Sequence, residues 1–196
     1  MSTVEEATAA IRDGRLAVIP TDTVYGLACA PEREDSVRLL SDVKGRPPDQ
    51  PIALVAPSLD ALLALVPELE GLALPTGPYT LVVPNPAHRF PWLTGTRPET
   101  IGVRLPELDG VARDLLDRVG VVAATSANRH GEPDPRRLDD VPEEIRSAVA
   151  AALDGGELPG TPSTVVDLTG ERPRVLREGA IPAEEVFARF ARIRGE

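Results

Sequence analysis

Apolar and polar residues follow two alternating patterns along this chain. In the first, apolar and often β-branched residues run together, as in LAVI and IALVA, which is typical of buried strands. In the second, apolar residues recur every three or four positions, as on one face of a helix. The predicted strands are 16–19, 52–56, 80–84, 100–106, 120–128, 164–168 and 173–177, and the predicted helices are 3–13, 34–43, 58–66, 109–120, 142–156 and 182–193. This alternation predicts an α/β fold with a mixed sheet.

Capping and turn residues support several of these boundaries. Ser2 with Glu5 fits a capping box at the first helix. Gly45 is expected to end the second helix, and Ser58 to cap the third. The segment TGER predicts a hairpin between the last two strands. Since no repeat, linker or low-complexity segment divides the chain, we expect one domain over residues 1–196.

Composition narrows the class of protein. The chain has 196 residues, 42% of them hydrophobic, and a net charge of −10, so any anion-binding site must be a local feature. The single cysteine, Cys29, cannot form an internal disulfide, and with His88 and His130 far apart no cysteine and histidine metal cluster is expected. The acidic, amphipathic N-terminus does not resemble a secretory signal, and no apolar run is long enough for a membrane span, which favours the cytoplasm.

Polar residues gather at the ends of the predicted strands, where open α/β sheets usually bind ligands. Five stretches have this placement: PTDTVYG (20–26), KGRPPDQP (44–51), VRLP (103–106), TSAN (125–128), and PSTVVD (162–167) together with LREG (176–179). Each stretch alone is also compatible with an ordinary turn, helix cap or strand entry. Their shared position makes a common ligand site the stronger interpretation.

The side chains in these stretches suit a small anion. The cations are Lys44, Arg46, Arg104 and Arg177, and the hydroxyl and amide groups are Thr21, Thr23, Ser126, Asn128, Ser163 and Thr164. Such groups bind phosphate and carboxylate oxygens. Lys44 is the only lysine beside twenty arginines. Because an ammonium is a compact point charge and a guanidinium is a planar fork, a lysine retained here indicates a role that arginine does not fill.

Several familiar catalytic and nucleotide-binding motifs are missing from the sequence. It contains no G-x-x-x-x-G-K-[ST] loop and no G-x-G-x-x-G after a strand. It also lacks H-E-x-x-H and the G-x-S-x-G nucleophile elbow. A nucleotide site in this chain is therefore of another kind.

The sequence resembles the YrdC/Sua5 family of threonylcarbamoyladenylate synthases. The resemblance runs in order through PTDTVYGL, K-x-R-P-x-x-x-P, GPYTLVVP, GVRLP, TSAN with GEP, PSTVVD and VLREGAI. It implies an α/β domain with a twisted mixed sheet, flanked by helices, around a concave nucleotide site. It also implies a nucleotidyltransferase that converts L-threonine, bicarbonate and ATP into threonylcarbamoyl-AMP and pyrophosphate. That product serves the t6A modification of adenosine 37 in tRNA, through a downstream transferase complex.

The resemblance also assigns roles to residues. Lys44 and Arg46 are expected to act on the phosphates and the reacting carbamate, and Ser126, Asn128, Ser163 and Arg177 to bind the nucleotide. Thr23, Tyr25 and Arg104 are expected to face threonine or its carbamate, whereas Thr21 and Thr80 fit a structural role equally well. We expect no protein metal ligands, because Mg²⁺ can be held mainly by ATP phosphates and water.

The chain departs from the family pattern at three places. Gln50 stands where many members have a histidine or lysine, which affects the expected threonine affinity. Arg129 and His130 replace small residues after TSAN, in a segment (130–140) that predicts an exposed loop. The chain ends one helix after VLREGAI, so we expect the short YrdC-type form without the C-terminal extension of longer Sua5 members.

Two other functions fit the resemblance. An RNA-binding module without synthase activity is one, and a weak RNA contact is possible, although the charge of −10 and 3% aromatic content disfavour RNA binding as the main role. A carbamoyl-transfer domain, as found inside larger hydrogenase-maturation proteins, is the other. Binding to tRNA would discriminate the first of these, and use of carbamoyl phosphate as substrate the second.

Overall fold

A computed structural model describes residues 1–47, 49–72 and 74–194, so Pro48 of the KGRPPDQP stretch lies outside it. The helices are α1 (Val4–Arg12), α2 (Glu34–Lys44), α3 (Leu59–Leu65), α4 (Gly110–Val119), α5 (Glu143–Ala148) and α6 (Ala183–Arg194). The strands are β1 (Ala17–Ile19), β2 (Gly26–Cys29), β3 (Ala53–Val55), β4 (Tyr79–Pro84), β5 (Thr100–Arg104), β6 (Val122–Ser126), β7 (Ala151–Ala152), β8 (Thr164–Asp167) and β9 (Arg174–Arg177). Short 3₁₀ turns occur at Pro67–Leu69, Pro91–Leu93 and Leu138–Asp140.

All the strands of the described residues join one mixed sheet, in the order β7-β1-β2-β6-β3-β5-β4-β8-β9. The pairs β1–β7, β3–β5 and β4–β8 are parallel, and the remaining neighbours are antiparallel. This arrangement confirms the predicted α/β class with a mixed sheet. The predicted hairpin is also confirmed, because β8 and β9 pair in antiparallel fashion.

Helices cover both faces of the sheet, which explains why several strands read as continuous apolar runs. Along β1, Val18 contributes to the larger core, whereas Ala17 and Ile19 contribute to the smaller one. The larger core is formed with residues of α2, α3 and α6, and the smaller core with residues of α1 and α4. No helix in the described part of the chain has the length and apolar character needed to cross a membrane.

Most predicted helix boundaries are confirmed. Helix α2 ends at Gly45, whose φ of 66° lies in the left-handed region that glycine adopts without strain. The side chain of Ser58 accepts a hydrogen bond from the backbone of Ala61 at the start of α3. The first cap was predicted one residue too early, because Thr3 rather than Ser2 forms the capping box of α1, with Glu6.

Two secondary-structure predictions are wrong. The short strand β2 was missed, and the helix predicted over 142–156 ends at Ala148. The chain beyond α5 instead becomes β7 and runs parallel to β1, with a hydrogen bond of 2.9 Å from the Ala150 amide to the Leu16 carbonyl. The edge of β1 offers backbone partners, and Leu153 is buried in the smaller core, so tertiary contacts override the helical preference of this alanine-rich segment.

Candidate functional site

A cleft of about 410 Å³ lies beside the sheet, where β3 to β6, β8 and β9 meet the loop after β1 and the loop after α2. Its floor is made of small and apolar residues, including Ala53, Val82, Gly102 and Ala124. Arginine, threonine and serine side chains form much of the rest of its lining. An apolar floor with a few convergent polar groups is the usual composition of a small-molecule site.

The structure brings most of the predicted site residues to this cleft. Those that line it are Thr23, Arg46, Arg104, Ser126, Ser163 and Arg177, together with Thr21 and Thr80. Lys44, Asn128 and Tyr25 are not part of the lining. The residues of the first group come from seven separate segments of the sequence, so the fold assembles them only through the pairing of distant strands.

Lys44, at the end of α2, is 3% exposed and points its ammonium into the TSAN turn. The ammonium nitrogen lies 2.6 Å from the Ser126 carbonyl oxygen, 2.9 Å from the Asn128 carbonyl oxygen and 2.6 Å from Asn128 Oδ1. These three acceptors match the three N–H donors of a lysine. Burial, reinforced by the positive charge of Arg46, lowers the pKa of Lys44 to about 8.

Asn128 and Ser126 are tied to each other as well as to Lys44. The Ser126 hydroxyl donates to Asn128 Oδ1 over 2.6 Å, and the Asn128 amide donates to the Glu132 carbonyl. Asn128 is therefore a cross-link inside the turn, while Ser126 reaches the cleft. The amide of His130 also donates to the Lys44 carbonyl over 3.0 Å, which joins α2 to the loop after β6.

Arg46 and Arg177 line the cleft and are held by neutral oxygens. Arg46 donates to Thr125 Oγ1 over 3.2 Å and to the Pro51 carbonyl over 2.6 Å. Arg177 donates to the Ser163 carbonyl over 2.8 Å and to the Ser163 hydroxyl over 3.2 Å. Burial and the nearby charge of Arg177 lower the pKa of Arg46. Among the described residues neither arginine forms an ion pair, so no carboxylate offsets their charge beside the cleft.

Gly179 allows the chain after β9 to pack against the Ser163 loop. A Cβ atom at this position would lie 2.2 Å from the Pro162 carbonyl oxygen, which is too close for any other residue. The Gly179 amide also donates to the hydroxyl of the buried Thr164 over 3.0 Å. This close approach supports the position of Ser163 next to Arg177.

Arg104, at the end of β5, has a charged partner. It forms an ion pair with Asp22, in which both side chains are 9% exposed, and donates to Thr23 Oγ1 over 2.9 Å. Burial raises the pKa of Asp22 and lowers that of Arg104. Among the described residues Arg104 Nε and Asp22 Oδ2 have no hydrogen-bond partner, so the pair is engaged on one side only.

Arg97 also lines the cleft and is neutralised in the same way. It donates to Asp167 Oδ2 over 3.0 Å and to Thr169 Oγ1 over 3.2 Å. Burial opposes ionisation of Asp167, but hydrogen bonds from Thr169 and Arg97 outweigh it and lower the Asp167 pKa to about 2. The pair with Arg97 is thus ionised at neutral pH.

Tyr25 lies away from the cleft, although the sequence predicted that it faces the substrate. Its hydroxyl is 2.9 Å from Asp154 Oδ1 and 2.8 Å from the Gly156 carbonyl, and it accepts a hydrogen bond from the Gly155 amide. Burial raises the pKa of Tyr25 to about 12. The tyrosine therefore anchors the segment after β7 to the start of β2.

The sequence interpretation missed three residues of the site: Asp22, Arg97 and Thr125. Asp22 lies in the PTDTVYG stretch, and its position between the two candidate threonines Thr21 and Thr23 was a usable signal. Thr125 is the first residue of TSAN, and its hydroxyl supports Arg46. Arg97 carried no such signal, because it lies in a loop and its partner Asp167 is 70 residues away.

The residues that line the cleft are those of an anion-binding site. It concentrates positive charge and hydroxyl groups in one cleft of an acidic chain, and the single thiol, Cys29, is buried with its pKa raised to about 12. Within the described residues no three histidine, cysteine, aspartate or glutamate side chains are grouped to hold a metal ion. The cations and hydroxyl groups of the cleft are suited to bind small anions.

Comparison with known proteins places the chain in a family. Residues 9–179 match the Sua5/YciO/YrdC family, described as telomere recombination, and the chain belongs to this family. It is 36% identical over 192 residues to the threonylcarbamoyl-AMP synthase of Pyrococcus abyssi, covering 94% of this chain and 56% of the relative. It is also 36% identical to a putative threonylcarbamoyl-AMP synthase of Mycobacterium tuberculosis, covering 93% of this chain and 87% of the relative.

Solved structures agree with the fold. The structure of P. abyssi Sua5 complexed with L-threonine superposes with a TM-score of 0.81 at 32% identity, and it covers 98% of this chain and 57% of that one. E. coli YciO superposes with a TM-score of 0.77 at 23% identity, covering 92% of this chain and 91% of that one. The chain thus spans a little more than half of the archaeal relatives, and its similarity to YciO is one of fold.

Proposed function

We propose that this chain is an L-threonylcarbamoyladenylate synthase, which makes threonylcarbamoyl-AMP and pyrophosphate from L-threonine, bicarbonate and ATP. The supporting observation is the placement of Arg46 and Arg177, two cations whose partners within the described residues are all neutral, on a cleft in a chain of net charge −10. The names of the relatives and the threonine complex of P. abyssi Sua5 support the same reaction. The reaction is a nucleotidyl transfer to a carbamate.

Arg46 and Arg177 are proposed to hold the phosphates of ATP, together with the hydroxyls of Ser126 and Ser163. Their guanidinium groups have neutral partners that a phosphate can replace or join. Lys44 and Asn128 act from behind Ser126: the ammonium adds charge to this side of the cleft, and the amide fixes the turn. The proposed nucleotide side of the cleft is therefore built by α2, β6 and β9.

Arg104 and Thr23 are proposed to receive threonine or its carbamate. The amine nitrogen of threonine bonds to the carbon of bicarbonate with loss of water, and a carbamate oxygen then attacks the α-phosphorus as pyrophosphate leaves. The cleft contributes by holding both anions in contact and by stabilising the negative charge that moves onto the leaving pyrophosphate. Tyr25 supports this side indirectly by anchoring the loop that carries Thr23.

The residues present are compatible with Mg²⁺ carried by ATP. Mg²⁺ prefers oxygen ligands and keeps several waters, so the phosphates can supply much of its coordination. The carboxylates next to the cleft, Asp22 and Asp167, are engaged by Arg104 and Arg97. When bound, the ion would neutralise phosphate charge, while the arginines position the phosphate oxygens.

We also propose the partners that this reaction requires. The adenylate is a reactive intermediate, so a tRNA threonylcarbamoyl transferase complex would consume it in the t6A37 modification. Because ATP and the tRNA modification are found there, the proposed location is the cytoplasm.

Pyrophosphate release from ATP tests the proposal. L-threonine and bicarbonate are supplied together and then omitted in turn, for the wild-type chain and for Arg46→Ala. Release that needs both substrates and falls in the variant supports the synthase. Release without threonine, or retention of tRNA in a gel shift by a folded but inactive protein, would replace it with another carboxyl substrate or with the RNA-binding function. Turnover of carbamoyl phosphate would indicate the carbamoyl-transfer alternative.

A further inference from the structure

The arginines that line the cleft have two kinds of partner. Arg46 and Arg177 are bound by carbonyl and hydroxyl oxygens, which leave their charge uncompensated. Arg104 is bound by the carboxylate of Asp22, which cancels its charge. We call the first group, with Ser126, the Arg46 side of the cleft, and Arg104 with Thr23 the Arg104 side.

Asp22 reaches Arg104 from outside the cleft. Arg104 and Thr23 both belong to the lining, whereas Asp22 does not. Asp22 contacts a single terminal nitrogen, Nη2, and the same nitrogen donates to Thr23 Oγ1. Arg104 Nε is buried without a partner in the described part of the chain, and Nη1 makes no hydrogen bond there. One terminal nitrogen of the guanidinium is therefore engaged, while Nε and Nη1 stay without a partner among the described residues.

Arg177 connects the two sides electrostatically. Its charge contributes to lowering the pKa of both Arg46 and Arg104, so it lies within interaction range of each. Without a compensating carboxylate at Arg104, the positive potential would extend continuously along the cleft. A polyphosphate could then occupy the Arg104 side as readily as the Arg46 side.

We propose that Asp22 is a specificity-determining positioning residue that keeps polyanions out of the Arg104 side of the cleft. By neutralising Arg104 while leaving donors uncommitted, it produces a group that hydrogen-bonds one carboxylate but attracts a polyphosphate only weakly. The assignment of the carboxylate to an amino acid substrate rests on the function proposed above. The exclusion of polyanions does not rest on that function, because it requires only that Asp22 neutralise the charge of Arg104.

Calorimetric titration with inorganic pyrophosphate, with and without saturating L-threonine, tests this role. In the wild type, threonine should change the pyrophosphate Kd by no more than about twofold, because the two ligands occupy different sides. In Asp22→Asn, pyrophosphate should bind about tenfold more tightly, and threonine should now compete with it. A residue with a merely structural role would weaken binding when substituted, so tighter binding separates the two roles.

Two controls complete the experiment. Asp22→Glu keeps the charge and should retain wild-type pyrophosphate affinity. Glu68→Gln removes one negative charge from the Arg89 ion pair, away from the cleft, and should leave both affinities unchanged. Unchanged or weaker pyrophosphate binding in a folded Asp22→Asn variant would overturn the proposal. If that variant does not fold, competition between pyrophosphate and threonine in the wild type would overturn it equally.

The binding data separate this proposal from the proposed reaction. If the wild type releases no pyrophosphate from ATP but Asp22→Asn binds added pyrophosphate more tightly, the synthase fails and the charge role of Asp22 stands. If the wild type turns over and pyrophosphate affinity does not respond to Asp22→Asn, the synthase stands and the role of Asp22 fails.

Discussion

Lys44 and Arg104 are both buried cations beside the same cleft, but their surroundings differ. The ammonium of Lys44 lies among neutral oxygens of the TSAN turn, and Arg104 is paired with the carboxylate of Asp22. Neutral oxygens satisfy the donors of a cation and leave its charge intact, whereas a carboxylate satisfies donors and cancels charge. A chain of net charge −10 can thus present positive charge on one side of a cleft and a neutral hydrogen-bonding group on the other.

The largest effect is expected at Lys44, because three buried acceptors depend on it. Lys44→Ala removes the ammonium donor from the Ser126 and Asn128 carbonyl oxygens, which should lower turnover by about 100-fold or more and destabilise the fold by about 2–3 kcal/mol. Lys44→Arg should keep the fold and lose most of the turnover, since a planar guanidinium cannot reproduce the three directions of the ammonium. Pyrophosphate release and urea unfolding measure both effects, and wild-type turnover in Lys44→Arg would contradict this explanation.

Arg104 should be the next most sensitive position, because its loss leaves the buried carboxylate of Asp22 without its charged partner. Arg104→Met is expected to cost about 3 kcal/mol of unfolding free energy, and adding Asp22→Asn should restore part of that loss. Arg177→Met, which removes a cation with neutral partners, should cost about 1 kcal/mol or less. Denaturant unfolding of the four proteins gives the comparison. Equal losses of unfolding free energy in Arg104→Met and Arg177→Met would show that the charge of the arginine's hydrogen-bond partner does not affect the cost of removing the arginine.

The pH dependence should separate the two cations further. Lys44 is charged below its folded pKa of about 8 and neutral above it, so positive charge is lost from the Arg46 side as pH rises through 8. At pH 9 about a tenth of the molecules keep this proton, and the ATP Kd should rise by about tenfold relative to pH 7. Arg46 and Asp134 are the charged neighbours of Lys44.

Lys44→Arg provides the control for that titration, because arginine stays protonated over this range. Its ATP Kd should be independent of pH between 7 and 9, whatever its absolute value. A wild-type profile that is flat over the same interval would assign the charge of the Arg46 side to groups other than Lys44.

The smallest effect is expected where a hydroxyl supports an arginine. Thr125→Val removes one acceptor of Arg46 and should raise the KM for ATP by about threefold, with little change for threonine. Thr23→Val removes an acceptor of Arg104 and should show the reverse preference. Steady-state kinetics with each substrate varied measures both, and Thr125→Ser should restore the ATP value. If Thr125→Val and Thr23→Val both shifted the KM for ATP and the KM for threonine by the same factor, the division of the cleft into an Arg46 side and an Arg104 side would be contradicted.

Local signals in the sequence predicted local features of the fold. Gly45 and Ser58 were identified as helix boundaries because turn and cap residues act within a few positions. The strand β2 was missed because GLAC lacks the β-branched residues of its neighbours and is formed through pairing with β1 and β6. The segment after α5 was assigned to a helix for the same reason, since only the edge of β1 makes it a strand.

The candidate site was also predictable only in its local features and not in its long-range contacts. Chemically suited residues at strand ends predicted that Arg46, Arg104 and Ser126 would share a cleft, and the structure brings them together. The partners of each group depend on contacts between distant parts of the chain. Tyr25 points to Asp154, 129 residues away, and nothing in PTDTVYG indicates that direction.

The most direct test of the account is the product itself. Purified protein is incubated with ATP, L-threonine and ¹³C-bicarbonate, and the mixture is analysed by mass spectrometry. We predict threonylcarbamoyl-adenylate carrying one ¹³C atom, formed only when all three substrates are present and greatly reduced in Lys44→Ala. Pyrophosphate release without a labelled adenylate would contradict the proposed reaction.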